Sequence, residues 1–417
     1  MSAPWAGPYG PPPHGEPADE PYTGPPPTGP YGAPPFVPGA PHRGAGHPGG
    51  ALGPVPWPLG PVPPQAGPHS HLPGAPPWQQ AVLDWRAAPP GPAPFPPGVR
   101  LAPPPGTPPH DVPVPFLLVM RTRDRAWWRP LLGLLLFTVA YVVAAFVVVL
   151  LVLLTGVEPD LQLLDLVDPG VLLITNLSLI VAIPIVWLLW VTAHGMRSGW
   201  SSSVLARLRW RLLAPLTLRA LATLGVGISL SVALAFLLDD TEVTGPVDDL
   251  AWLLLVVLLT TPLQSAAEEY VFRGYFSQAI AGWIRSPRAG AITAAVLTAA
   301  VFSLAHAPGD VVTFLDRFVF GLAASAVVWL TGGLEAAIVL HAVNNVLVFI
   351  LFGTLGDGVA TEEVPAGVGL VSLLLTLLAM GSYVWVVAAS RKKLRFELLT
   401  DARDLRVPTT DPRVRGW

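Results

Sequence analysis

Cysteine is absent from all 417 residues. That excludes disulfides, a thiol nucleophile, iron–sulfur clusters and thiolate zinc sites, and leaves only His, carboxylate or amide groups to hold any metal. Charge is scarce as well. Charged residues make up 12% of the chain, about half of what soluble domains carry. The net charge of −3 gives no basic excess for nucleic acid. What fills the chain instead is apolar: 52% of residues are hydrophobic, and they gather in long runs. The class this implies is an all-α, polytopic transmembrane helical bundle.

The chain is expected to be two polymers in one. About 39 of the 51 prolines precede residue 116. Proline removes backbone donors, glycine adds chain entropy, and such a stretch builds no packed core. Residues 1–120 are therefore expected to form a disordered, partly polyproline II cytoplasmic tail. Its histidines (His14, His42, His47, His69, His71 and His110) are spaced too irregularly for a metal site. The patch 81–88, AVLDWRAA, is read as solvated linker. Residues 121–397 are the membrane domain, with the polar motifs in 250–350, and 398–417 is a short cytoplasmic C-terminal tail.

Crossing a bilayer takes about 20 apolar residues. Eight segments approach that length: 131–155, 170–193, 213–237, 250–274, 289–307, 311–331, 334–355 and 367–390. The sixth and seventh are parted only by TGG (331–333). Arginine and lysine cluster before the first segment (Arg121, Arg123, Arg125, Arg129), between the second and third (Arg197, Arg207, Arg209, Arg211), between the fourth and fifth (Arg285, Arg288) and after the eighth (Arg391, Lys392, Lys393, Arg395). These sets alternate with acidic loops. The positive-inside rule then places both termini in the cytoplasm of a multi-pass plasma-membrane protein, with Trp127 and Trp128 as interface anchors.

A charge facing lipid costs on the order of 3 kcal/mol or more, so ionisable groups inside apolar segments are functional candidates by default. Glu268, Glu269, Arg273, His306, His341, Asn344 and Asn345 are such groups. His194 abuts a basic loop and reads as an interface residue. Residues four apart share a helix face. Glu269 and Arg273 are such a pair and can neutralise each other. Glu268 is turned about 100° away, and its charge is left for other work. Phe302 and His306 share a face of the fifth segment, His341 and Asn345 one of the seventh. Glu268 precedes Pro287 by as many residues as His306 follows it. An antiparallel fold-back at RSPR (285–288) brings the two to one level. Taken singly, EExxxR can be a structural ion cluster, HxxxN can be helix-to-helix glue, and His306 can cap a helix end.

Taken in order, EEYVFR (268–273), FSLAH (302–306) and HAVNN (341–345) resemble the EExxxR, FxxxH and HxxxN motifs of the CPBP family, the CAAX-processing and bacteriocin-processing (Abi-like) intramembrane proteases. The resemblance implies an intramembrane endopeptidase acting on membrane-associated or lipidated, CAAX-like peptides. It implies that Glu268 activates water with His306, that His341 and Asn345 stabilise the oxyanion, and that Glu269, Arg273 and Phe302 support them. The family carries the label metalloprotease, and Glu268, His306 and His341 would be the ligands of a divalent metal such as zinc. The same residues serve equally as a metal-free glutamate protease, which is the reading adopted, with no cofactor required. Expected partners are the bilayer and a membrane-embedded substrate, with no nucleic acid. Two other classes compete: a non-catalytic scaffold or bacteriocin-immunity protein on the same fold, and an ion-coupled transporter. The transporter predicts internal repeats in the two halves, and none is evident.

Overall fold

The chain divides into two units, Met1–Pro89 and Pro90–Trp417. The computed structural model describes residues 103–154, 168–238, 243–356 and 366–405, all in the second unit. The histidines before His110 and the patch 81–88 lie outside the described residues, as does the tail expected over 1–102.

The described residues are helical, with two isolated β-bridges and no strand. The helices are α1 (Arg129–Leu154), α2 (Pro169–Ile180), α3 (Ala182–Thr192), α4 (Leu213–Leu238), α5 (Leu250–Val271), α6 (Ser277–Trp283), α7 (Pro287–Ala305), α8 (Val311–Thr331), α9 (Glu335–Leu355) and α10 (Ala366–Ala389). Helices α2 and α3 run on as one span. So do α5 and α6, through a π-helical turn at Phe272–Phe276. Eight spans long and apolar enough to cross a membrane result among the described residues. This is a multi-pass membrane protein.

Local chemistry sets the helix ends. Asp168, Ser286 and Asp310 each accept hydrogen bonds from the first turn of the helix that follows, satisfying amides with no intrahelical partner. The TGG between the sixth and seventh spans is a tight turn. Gly332 takes a left-handed conformation (φ 71°), which ends α8 at almost no steric cost. Pro262 lies inside α5 without ending it. Beside it, the Asn176 side chain of α2 donates to the hydroxyls of Thr260 (2.8 Å) and Thr261 (3.1 Å), joining the two spans.

Helices α5, α8 and α9 carry the most buried surface, and α1 the least. Residues such as Leu135, Val142 and Phe146 of α1 are exposed and suit lipid. The Arg-rich loop between α3 and α4 is not a surface loop throughout. Ser201, Ser202 and Ser203 are buried. The Leu334 amide donates to the Ser202 carbonyl (2.8 Å) and the Val204 amide to that of Gly332 (3.0 Å), so this loop is tied to the α8–α9 turn. Irregular backbone inside a membrane protein needs such partners.

The membrane unit also reaches beyond its expected boundaries. Residues 110–120, assigned above to the tail, are packed: His110, Val114 and Phe116 to Met120 are buried. They meet the expected C-terminal tail, where Thr400 donates from its amide to the Val114 carbonyl (2.9 Å) and Arg403 to that of His110 (2.9 Å). The run VPVPFLLVM (112–120) is too short to span a bilayer. Phe116–Leu118 pack mainly against α6, and the two backbone bonds above add the C-terminal segment.

Candidate active site

The site is assembled from four helices. Helix α5 brings Glu268 and Glu269, followed by Arg273 in the π-helical turn. Helix α7 brings Phe302 and, as its C-cap, His306. Helix α9 brings His341 and Asn345. Phe320 of α8 closes the floor. It stacks on the Phe302 ring at 5.6 Å and meets the His341 ring edge-on at 4.9 Å.

Glu269 and Arg273 pair at 3.0 Å, both fully buried. The second guanidinium arm donates to the Gly321 carbonyl at 3.1 Å. Gly321 is required by closeness: a Cβ there would stand 2.8 Å from Ala299 and 3.3 Å from the Arg273 guanidinium. Helices α7 and α8 therefore approach each other directly behind the ion pair. The Arg273 guanidinium also lies over the Phe302 ring at 4.9 Å, a cation–π contact.

Glu268 faces the other way, as its rotation from Glu269 predicts. Its Oε2 stands 3.9 Å from His306 Nε2 and 3.8 Å from His341 Nε2. It is buried and has no hydrogen-bond partner. The fold-back at RSPR does bring Glu268 and His306 together.

The imidazole tautomers follow from their neighbours. His306 Nδ1 lies 2.7 Å from the Phe302 carbonyl, which can only accept, so Nδ1 carries the proton. His341 Nδ1 lies 2.9 Å from Glu269 Oε1, the oxygen that also accepts from Arg273, so it too carries a proton. In their neutral forms both rings present an Nε2 lone pair toward Glu268 Oε2. Three acceptors then face one small volume. A water molecule has the two protons that such a volume lacks, and the separations are within the span of one bridging water.

The pair role expected of Glu269 and Arg273 is thus too narrow, because Glu269 also fixes the ring of His341. Asn345 is half-buried, and its amide reaches Gln264 Oε1 at 3.5 Å. Gln264 in turn donates to Glu268 Oε1. The sequence reading did not single out Gln264. Its signal was there: a polar residue one turn before Glu268, in a segment where polar residues are rare. His194, expected at the interface, is buried instead. Its Nε2 lies 3.0 Å from the Tyr275 hydroxyl. Burial, then the nearby Arg129 charge, pushes the His194 pKa down to about 4.

Two imidazoles and a carboxylate are chemically a zinc donor set. Among the described residues, however, no three His, Asp or Glu side chains stand close enough together to hold an ion. No step below is routed through a metal.

No curated protein and no solved structure matches the chain. Residues 249–347, which carry all three motifs, do match the family model described as type II CAAX prenyl endopeptidase Rce1-like. Over those residues the chain is similar to the CAAX-type endopeptidases, and the match supports that family for the part of the membrane unit that carries the three motifs.

Proposed function

We propose that the protein is an intramembrane endopeptidase that hydrolyses membrane-associated or lipidated substrates with water activated by Glu268 and His306. The observation that carries this reading is the orphaned Glu268 Oε2 facing two imidazole lone pairs. A buried carboxylate with an open valence is costly unless it has work to do.

Glu268 takes one proton from the water while His306 Nε2 accepts a hydrogen bond from the other, and the oxygen attacks the scissile carbonyl. The proton on Glu268 then passes to the leaving amine, which leaves the carboxylate ionised for the next cycle. The oxyanion needs donors. Asn345 offers its amide directly. His341, held at Nδ1 by Glu269, donates from Nε2 when both ring nitrogens carry protons. Gln264 holds Glu268 Oε1, so that Oε2 is the reactive oxygen. With the Lys- and Arg-rich loops on the inner side, both termini of the chain face the cytoplasm at the plasma membrane.

The test is cleavage of a membrane-peptide library by purified wild type and Glu268→Gln, each with and without a chelator. Cleavage lost in the variant and kept in chelator is expected. Cleavage unchanged in Glu268→Gln would overturn the site. Loss in chelator with recovery on zinc would transfer water activation to a metal.

A further inference from the structure

The C-terminal end of α10 gathers more positive charge than its neighbours neutralise. The arginines around it are engaged. Arg209 pairs with Glu335 at 2.7 Å. Arg211 donates to the Glu397 carboxylate at 2.7 Å and to the Leu394 and Arg395 carbonyls. Arg219 donates to the Ser390 hydroxyl at 2.8 Å. Arg391, Lys392 and Lys393 are different. They lie in the one helical turn, Arg391–Leu394, that follows α10, and their side chains have no hydrogen bond or ion pair among the described residues. Glu397 does not compensate them, because its carboxylate is paired with Arg211 and Arg209.

The backbone shapes a hollow beside these charges. Arg395 takes a left-handed conformation (φ 50°) and turns the chain back. Phe396 and Leu398 then stand with Ala388, Ala389, Arg391 and Lys392 around a space of about 490 Å³. Its walls are apolar except for the two cations. The hollow continues an unpartnered face of α10. At about 100° per residue, Leu374, Leu378, Gly381, Trp385 and Ala388 fall within about 40° of one line along the helix. Leu374, Leu378, Gly381 and Trp385 are exposed, whereas Ala379, Met380, Tyr383 and Val387 on the opposite side are buried. Gly381 leaves a notch in this stripe, since a Cβ there would meet nothing within 4 Å. The stripe ends in the hollow at Ala388.

We propose that this hollow binds the head group of an anionic phospholipid of the cytoplasmic leaflet, with an acyl chain lying along the stripe from Ala388 to Leu374. The inference rests on the orientation given above and not on the peptidase chemistry. A soluble anion would use Arg391 and Lys392 and leave Phe396, Leu398 and the stripe without a partner. A phospholipid uses both halves of the site. Its phosphate sits at the depth where an apolar span ends, and the cytoplasmic leaflet carries the anionic lipids. Trp385, exposed between the stripe and the hollow, suits that interface. Arg391 can give a phosphate two parallel hydrogen bonds, and Lys392 adds a point charge.

The experiment titrates full-length protein in detergent with phosphatidylglycerol or with phosphatidylcholine of the same chains, and counts bound lipid by native mass spectrometry. The first phosphatidylglycerol should bind at least about tenfold tighter than the first phosphatidylcholine. Arg391→Gln with Lys392→Gln should weaken it by about 10- to 30-fold, the range for two basic residues near an anionic head group. Arg285→Gln with Arg288→Gln removes the same charge from the exposed loop between α6 and α7 and should leave it unchanged. Gly381→Trp fills the notch at constant charge and should weaken it several-fold. Equal losses in the two double variants would overturn the proposal, since diffuse attraction would then account for binding. Displacement of the lipid by an equal concentration of glycerol phosphate, or full binding to Gly381→Trp, would overturn the lipid assignment in favour of a free anion. Equal affinity for the two lipids in wild type would overturn the site outright, and that comparison needs no variant. No arm reads proteolysis, so failure of the endopeptidase reading leaves the test standing.

Discussion

Two buried Arg–Glu clusters in this protein are built from the same parts and finished differently. Near the α8–α9 turn, Arg209 meets Glu335. Its amide and Nε donate to Glu335 Oε1 at 2.7 and 3.0 Å, and Nη2 donates to Oε2 at 2.7 Å. Nη1 reaches the carbonyls of Thr331 and Glu397, each at 3.0 Å. Both Glu335 oxygens are occupied, and the cluster ties the α3–α4 loop, the α8–α9 turn and the C-terminal segment together. In the other cluster, Glu268 Oε2, Glu269 Oε2 and Arg273 Nε are buried without hydrogen-bond partners. A saturated cluster can only hold. An unsaturated one has open valences for water and for a substrate.

The sharpest way to break this contrast is to remove the open carboxylate. Glu268→Gln should lower the turnover number by about 10²–10⁴-fold, the usual contribution of a positioned general base. It should leave thermal unfolding unchanged or raise its midpoint, since a buried unpartnered charge is lost. A variant that cleaves at the wild-type rate, or that unfolds well below wild type, would mean that Glu268 is a structural charge like Glu335.

The reciprocal change is Arg209→Met. It strands Glu335 as a buried uncompensated charge, and breaking such a pair costs about 3–5 kcal/mol. Thermal unfolding in detergent should fall accordingly, while activity per folded molecule is kept. The double variant Arg209→Met with Glu335→Leu should recover much of the loss. If it does not, the pair does more than hold the turn.

This contrast also marks where the sequence was legible. The eight spans could be read because length and apolarity are local properties. EEYVFR could be sorted into a pair and a spare because helix geometry acts over four residues. The Arg209–Glu335 pair could not, because its members are separated by much of the chain and both sit beside loops that look solvent-exposed. The burial of 110–120 was hidden by the prolines around it and by partners far along the chain, chiefly in α6. Asp316 and Arg317 were overlooked in an otherwise apolar segment, although they broke the same rule that exposed Glu268.

His194 gives a weaker, pH-dependent version of the structural class. Its pKa is lowered to about 4 from an ordinary 6.5. Between those values the unfolded chain binds the proton and the folded chain does not, so unfolding gains protons. The stability from His194 is therefore complete above about pH 6.5 and is lost as pH falls toward 4, by up to about 3 kcal/mol. Thermal midpoints from pH 7 to 5 should fall more steeply in wild type than in His194→Gln. Parallel slopes would mean that burial and the Arg129 charge do not keep the ring neutral.

The smallest expected effect tests the chain Asn345–Gln264–Glu268. Gln264 touches neither imidazole. It joins the amide of Asn345 to the non-reacting oxygen of Glu268. Losing one such neutral-to-charged hydrogen bond is worth about 1.5–3 kcal/mol at most, and water can replace part of it. Gln264→Ala should therefore slow turnover by about tenfold with KM little changed. Gln264→Glu, which sets a second carboxylate beside Glu268, should shift the acidic limb of the pH–rate profile upward, because two adjacent carboxylates do not ionise independently. A change in KM alone would assign Gln264 to substrate binding. An unmoved pH profile in Gln264→Glu would show that the carboxylate governing the rate is not the one Gln264 holds.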